Sequence, residues 1–508
     1  MDRVILKKIV IIILLFNFIR VSSQSKSFEI SELEKQIKQV KKDWNIPGLA
    51  IAVIKKNSII YSNTFGFGDI KNKKSVTNNT IFGLGSCTKA FTAALLGLLE
   101  NEKKVDFSST PNKYVSGFQF FNDEMNNSIS IKELLTHSSG LAQHDMSFYL
   151  FPTNSKDSLI NRIQYLKPFA KPREKYKYNN IAYTLSGVIA ERITGISWED
   201  NIKTRFLQPL KMTNTYISSS KLHAVNDVAF GYAKENDKIK KLDFYKFKGR
   251  DPAGSIYSSL NDVIKWAKLW LNEGKENEVE IIPSSYISNA LKPQYLISSR
   301  LPKTNTQSIF DSYGYGWKAS TYNGHYMVNH HGGEYGYSSM IALYPVDEYA
   351  IIILTNKYDV FPPYILRDII ADRVLNLEKT DWNKAYLDFM NKQSKPKLKT
   401  VTYSKPLHNS EDYLGTYTHK GYGSFQIKKS KDSLLVIFPE YQFNLKHREY
   451  DIFEASATTP KEGYIMNIFK SQNKPFLFKF NTNQKGEIES IEIDLEPSIK
   501  ESIKFIKK

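Results

Sequence analysis

The chain has 508 residues, 41% of them apolar, enough to bury a large core and to build a second domain. Its net charge is +18, from 70 Lys+Arg against 52 Asp+Glu; the lysines are dispersed and form no basic stripe interleaved with stacking aromatics, so 31 tyrosines and 30 phenylalanines do not make it a nucleic-acid reader. The single cysteine allows no internal disulfide, and His137, His144 and the adjacent pair His330-His331 lack a zinc-ligand pattern, so no metal or other cofactor is expected.

Taken in chain order, Met1-Asp2-Arg3 and Lys7-Lys8 precede a short apolar run, Ile9 to Phe16, and the small residues Val21-Ser22-Ser23. This pattern predicts a cleaved export signal over 1–23 and a periplasmic or secreted product. The run is shorter than the ~20 residues of a membrane span, with an uncleaved anchor as the alternative. Ile30, Leu33, Ile37 and Val40 have helical spacing over Ile30–Asp43. Strand-like runs follow at Leu49–Ile54 and Ser58–Tyr61, separated by the hairpin signal Lys55-Lys56-Asn57.

Ser86-Cys87-Thr88-Lys89 then sits where a run of helix formers begins. Residues three apart share a helix face, so the Lys89 amine can lie over the Ser86 oxygen, and a neutral amine there can take the serine proton. Backbone N–H groups at a helix start can hold an oxyanion. The same spacing also fits a serine N-cap followed by a surface lysine. Cys87 points away from that shared face, which predicts a packing role.

Lys175-Tyr176-Lys177-Tyr178-Asn179-Asn180 precedes a helical pattern through Leu185, Val188, Ile189 and Ile193. In an extended stretch Tyr178 and Asn180 point the same way, the first able to relay a proton and the second to bind a substrate amide. An aromatic anchor and an asparagine cap fit as well. Strand-like segments return at Gly314–Ala319, Tyr326–Asn329, Ser338–Leu343 and Tyr349–Thr355, with His330-His331-Gly332-Gly333-Glu334 entering the third. Paired glycines beside a strand suggest close approach of another chain or a ligand. A helix is expected from Tyr364 to about Leu377. A helical and polar linker follows over 378–402. Short strands are expected at Tyr413–Tyr417, Gly423–Lys428, Ser433–Phe438, Gln442–Leu445, Tyr464–Phe469, Phe476–Phe480 and Ile488–Ile493.

Ser86-x-x-Lys89, Tyr178-x-Asn180 and His331-x-Gly333, in this order, resemble the penicillin-binding-protein and serine β-lactamase superfamily in its class C, D-peptidase and esterase branch. Ile46–Val53, Leu134-Leu135-Thr136-His137-Ser138-Ser139-Gly140-Leu141, Pro252-Ala253-Gly254-Ser255 and Tyr313-Gly314-Tyr315-Gly316-Trp317 extend the resemblance, the last as a strand. Tyr413-Leu414-Gly415-Thr416-Tyr417 with Tyr422-Gly423 resembles the start of a lipocalin-like barrel appended to some members.

The resemblance implies an α/β serine β-lactamase-like fold over 30–377, an antiparallel sheet flanked by helices plus a helical lobe, and an all-β barrel-like domain over 403–508. It implies acyl transfer through Ser86, with Lys89 and Tyr178 moving protons. The oxyanion would lie between the N–H groups of Ser86 and Glu334, and Asn180, His331 and Gly333 would contact substrate. His331 stands where the β-lactamases usually carry a lysine that grips a carboxylate. The implied substrates are small amides of D-amino-acid-containing or cell-wall-derived peptides. Esters, β-lactams, or a slow-turnover sensor role are the alternatives. The positive charge suits a cell-wall polymer, and equally a lysine-rich composition with no partner.

Overall fold

The computed structural model describes residues 29–508 apart from 236–237, 302, 304–307, 393–404, 431–432, 458, 460–461, 463–464, 467–474, 497–498 and 500. The expected export signal lies outside the described residues, as do 393–402 of the expected linker and most of the strand expected at Tyr464–Phe469.

Among the described residues, nine strands form one antiparallel sheet: β1 (Gly48–Lys55), β2 (Ser58–Asp69), β3 (Lys74–Ser75), β4 (Tyr295–Ser299), β5 (Phe310–Tyr313), β6 (Lys318–Tyr322), β7 (His325–Glu334), β8 (Tyr337–Tyr344) and β9 (Tyr349–Thr355). Their order across the sheet is β4-β5-β6-β7-β8-β9-β1-β2-β3. The first and last strands of this sheet in sequence thus meet at the β9–β1 pair, with Ile51 opposite Ile353. Alternation in β1 sends Ala50, Ala52 and Ile54 to one face and Leu49, Ile51 and Val53 to the other. The second face is covered by α1 (Ile30–Asp43), through Leu33, Ile37 and Val40, and by α5 (Phe361–Val374), through Ile365, Leu366 and Ile370.

The first face carries the helical lobe, centred on α2 (Thr88–Asn101), α3 (Asn180–Thr194) and α4 (Leu260–Leu271). α2 is apolar almost all round and lies in the core, where Phe91 stacks on Trp266 of α4 with ring centroids 3.7 Å apart.

Several elements depart from the sequence expectations. β2 runs on to Asp69, past Tyr61, because Phe65 and Gly66 still pair with Leu49 and Gly48 of β1 and Phe67 and Asp69 pair with β3. Gly314–Trp317 is a break between β5, which ends at Tyr313, and β6, not a strand: Gly316 has φ 78° and the Gly314 N–H turns back onto the Trp317 carbonyl. α5 starts at Phe361, since Pro362 and Pro363 fit a helix's first turn, where no N–H is needed. A further helix, α6 (Trp382–Lys392), lies within the stretch expected as a helical and polar linker.

The C-terminal domain is a closed barrel of eight strands, each paired with the next in sequence: β10 (Gly415–His419), β11 (Gly423–Ser430), β12 (Ser433–Ile437), β13 (Gln442–Glu449), β14 (Ile452–Ala457), β15 (Leu477–Thr482), β16 (Ile488–Ile493) and β17 (Ile503–Lys507). β10 closes on β17 at Tyr417–Lys507 and Thr418–Ile506. Inward positions are apolar and largely aromatic, including Phe425, Phe443, Phe478, Phe480 and Phe505, which fills the barrel with side chains. β14 and β17 are absent from the sequence expectation. The turn into β14 rests on Tyr450 at φ 46° and has no Gly or Pro, and β17 shows one inward residue, Phe505, among lysines and isoleucines.

The barrel docks on the helical lobe. Phe151 of the lobe meets Phe438, Phe505 and Tyr422 with ring centroids 5.4, 5.9 and 6.0 Å away.

Candidate active site

The short strand Ile81–Gly83 delivers the chain to a 3-10 turn, Gly85–Cys87, which runs directly into α2. Gly85 has φ 49°, and a Cβ there would lie 2.7 Å from the Gly333 carbonyl oxygen, so both conformation and space demand glycine. Ser86 is partly exposed. Cys87 is buried, with Sγ 3.3 Å from Ser339 Oγ and 3.2 Å from the His330 carbonyl oxygen. Burial pushes its thiol up to about 12, so it stays protonated and inert.

Lys89 is fully buried one turn further on. Its Nζ lies 3.1 Å from Ser86 Oγ, 2.7 Å from Asn180 Oδ1 and 2.8 Å from the Ala253 carbonyl oxygen. Burial pushes its pKa down to about 7, against the pull of Asp145. The two carbonyl-type oxygens can only accept. A neutral amine therefore spends both its N–H groups on Asn180 and Ala253, and its lone pair faces the Ser86 hydroxyl.

Asn179, not Asn180, caps α3, its Oδ1 accepting the Ala182 N–H at 2.7 Å. Asn180 is free to span two groups. Its Oδ1 accepts from Lys89, and its Nδ2 donates to both oxygens of Asp145 at 3.0 and 3.1 Å. Tyr178 hydrogen-bonds Ser86 through its hydroxyl, and burial raises its pKa well above the usual phenol value. At neutral pH it keeps its proton. The backbone on either side is tied to His137: the Lys177 N–H donates to its carbonyl at 2.9 Å and the Asn179 N–H to its Nδ1 at 3.1 Å. The His137 ring also packs on Tyr178, with centroids 4.3 Å apart.

The third element corrects the sequence reading by one residue. Alternation along β7 puts His330, Gly332 and Glu334 on the face of the nucleophile, and His331 and Gly333 on the opposite face. His331 stacks on Tyr364 of α5 with ring centroids 5.4 Å apart, away from Ser86 and Lys89. His330 is buried near Tyr178, with ring centroids 6.3 Å apart, and next to Tyr313. A side chain on Gly332 would strike the Leu84 carbonyl, just before the nucleophile turn. The geometry thus reads His330-x-Gly332 rather than His331-x-Gly333.

The backbone follows the same shift. Glu334 and Tyr337 form the closing pair of a two-residue hairpin, so the Glu334 N–H belongs to the ladder. The Gly333 amide, in the intervening register, faces away from β8 on the side where Gly85 approaches it. Gly333, not Glu334, presents its N–H beside Ser86. The Glu334 side chain is buried and paired with Arg250, whose guanidinium lies 4.4 Å from the Tyr245 ring centroid.

His330 is neutral. Its Nδ1 lies 2.7 Å from the His331 carbonyl, so that nitrogen carries the proton, and its Nε2 accepts from the Tyr313 hydroxyl at 2.8 Å. Burial and nearby Lys89 hold its pKa well below the usual value. Both ring nitrogens are committed, leaving no cation at the position where a lysine would grip a carboxylate.

Asp145 and Arg250 carry no signal in the sequence, because each acts on residues 35 and 84 positions away. Only the neighbouring Pro252-Ala253-Gly254 run hints that this stretch matters, and Ala253 supplies a carbonyl, not a side chain.

Residues 33–373 match the family model Beta-lactamase. The chain belongs to this family. It is thereby a serine hydrolase of the β-lactamase and penicillin-binding-protein type. A second model, Domain of unknown function (DUF3471), matches residues 399–506 and so spans the barrel. The chain is 27% identical over 421 residues to Unguisins hydrolase ungD' of Aspergillus campestris (strain IBT 28561), covering 77% of this chain and 76% of that protein. It is 26% identical over 331 residues to Protein flp of Staphylococcus aureus (strain NCTC 8325 / PS 47), covering 64% of this chain and 62% of that protein. The solved structure titled "Structure of the octameric penicillin-binding protein homologue from Pyrococcus abyssi" superposes with TM-score 0.62 at 21% identity. It covers 94% of this chain and 100% of that one, a likeness of fold.

Proposed function

We propose that this hydrolase is exported and cleaves amide bonds of small peptides, D-amino-acid-containing or cell-wall-derived, through an acyl-enzyme on Ser86. The observation that carries the reading is the buried Lys89, whose two donors are committed to Asn180 and Ala253 and whose lone pair faces Ser86. As Ser86 Oγ bonds to the substrate carbonyl carbon, Lys89 takes the hydroxyl proton. The oxyanion that forms faces the N–H groups of Ser86 and Gly333, a pairing worth ~10²–10³ in rate per donor. Tyr178, protonated and hydrogen-bonded to Ser86, passes a proton to the leaving amine as the C–N bond breaks, and is refilled from Lys89. Water then adds to the ester, with Lys89 and Tyr178 reversing their roles, and Ser86 leaves with its proton restored.

Neutral His330 supports substrates without a free carboxylate at that subsite: internal or blocked peptide bonds rather than C-terminal residues or penicillins. The same feature favours an ester as the second reading. Turnover of paired D- and L-aminoacyl p-nitroanilides, p-nitrophenyl acetate and a penicillin separates these. Preferential D-anilide cleavage is the expected result. Rapid acetate turnover with no anilide cleavage makes it an esterase, and efficient penicillin hydrolysis contradicts the substrate assignment.

A further inference from the structure

Among the described residues the barrel supplies none of the groups around Ser86, yet two of its side chains reach the segment that orients them. Glu496, between β16 and β17, is buried, and its Oε1 accepts the Met146 N–H at 2.8 Å. It also hydrogen-bonds the Asp145 backbone N–H. Tyr422, just before β11, is fully buried and places its hydroxyl 3.1 Å from Glu496 Oε1 and 2.7 Å from His144 Nδ1. Three consecutive lobe residues, His144, Asp145 and Met146, are therefore held from the barrel side. On the other side of the same segment the Asp145 carboxylate accepts from Gln143 at 2.7 Å and from Asn180, and Asn180 accepts from Lys89.

We propose that Glu496 and Tyr422 are positioning residues for the acylation step: the barrel fixes the 144–146 segment and, through Asp145 and Asn180, the Lys89 amine over Ser86. This rests on the assignment of Ser86 and Lys89 above.

Proton bookkeeping defines how the clamp works. His144 Nε2 lies 3.0 Å from the Lys167 carbonyl, which can only accept, so Nε2 carries the imidazole proton and Nδ1 is a bare acceptor. Burial pushes the His144 pKa down to about 4, which keeps the ring neutral. The single phenolic proton of Tyr422 then goes to His144 Nδ1, and the phenol oxygen turns its lone pairs to Glu496. The Glu496 carboxyl keeps its own proton, in accord with burial and nearby Asp145, which raise its pKa well above the usual value. Oε1 therefore both donates to Tyr422 and accepts the Met146 N–H, a combination that neither the NH2 nor the C=O of a glutamine can supply at one atom.

This sets the test, run on the full chain as the rate of Ser86 labelling by a fluorophosphonate across pH. Glu496→Gln, whose amide can satisfy only one of the two hydrogen bonds at Oε1, should label more slowly than wild type. Glu496→Ala should label roughly 10- to 100-fold more slowly, the scale of a small misplacement of a catalytic group. Its pH profile should move as well: when Asp145 no longer faces Asn180, Lys89 loses the anion that raises its pKa, and the rising limb shifts to lower pH. A merely structural loss would lower the labelled fraction without moving that limb. Tyr422→Phe, which keeps the ring against Phe151 and Phe505, should show the same shift with a smaller loss and covers the case in which Glu496→Ala fails to fold. Wild-type rate and limb in Glu496→Ala, or in Tyr422→Phe where the alanine variant does not fold, would overturn the proposal. Wild-type labelling in Glu496→Gln would overturn the account in which Oε1 both donates and accepts. A wild-type label mapping elsewhere than Ser86 would instead defeat the underlying assignment.

Discussion

Asp451 and Glu496 are both buried in the barrel in similar surroundings, and their hydrogen bonds end in different domains. Asp451 accepts from the Tyr413 hydroxyl, from the Leu407 N–H at 3.0 Å and from the His408 ring at 2.9 Å, all barrel-domain partners that tie down the segment entering β10. Glu496 also pairs with a tyrosine and with backbone N–H groups, but the latter are those of Asp145 and Met146 of the helical lobe. A buried polar cluster that closes on its own domain serves folding. One that crosses a boundary makes the second domain part of the first domain's chemistry.

The comparison yields outcomes that can be ranked. The largest belongs to the site itself: Lys89→Ala should lower the labelling rate ~10²–10⁴-fold, the usual weight of a positioned proton acceptor, with the melting profile little changed. Next is Phe151→Ala at the domain boundary. Phe151 is 2% exposed and surrounded by three barrel aromatics, so its removal should cost about 3–5 kcal/mol in a denaturant titration. Asp451→Ala should cost about 1–3 kcal/mol by stranding Tyr413, while the folded fraction labels at the wild-type rate. If Asp451→Ala slowed labelling as much as Glu496→Ala, the two clusters would not differ as argued. The smallest effect is expected at the exposed boundary pair Lys167–Glu501, 64% and 65% exposed; Lys167→Ala should change stability by less than about 1 kcal/mol.

The pH dependence separates Lys89 from the histidines. The labelling rate should rise with pH through about 7, as the Lys89 amine becomes neutral. His331, pushed down to about 3 by burial, and His330, held low by burial and Lys89, should add no second limb near neutrality. The sign for stability follows. An unfolded lysine titrates near ~10.4, so between about 7 and ~10.4 the unfolded chain binds one proton that the folded chain does not. This site's contribution to stability therefore rises with pH across that window and is unfavourable below it. A urea series at fixed pH values, comparing wild type with Lys89→Met, checks the direction.

Much of this was legible in the sequence because it is local. Ser86 and Lys89 are one turn apart, and helix periodicity puts them on one face. β1, β9 and the Met340–Tyr344 part of β8 announce themselves as apolar runs. Tyr178 and Asn180 precede a clear helical pattern. The histidine element was misread by one residue because His330-His331 and Gly332-Gly333 are each doubled, so motif spacing fits either register. Only strand parity decides, and it sends His331 to α5 and His330 to the site. Asp145, Arg250, Tyr422 and Glu496 were invisible because their roles arise from contacts between segments 35 to 350 residues apart. β14 escaped notice because its turn has no glycine or proline.

The most direct test of the account is intact-mass spectrometry of the full chain after fluorophosphonate treatment, with peptide mapping, on wild type and Ser86→Ala. The account predicts a single adduct on Ser86 in wild type and none in the variant. An adduct persisting in Ser86→Ala, or one mapping to another residue in wild type, would contradict it.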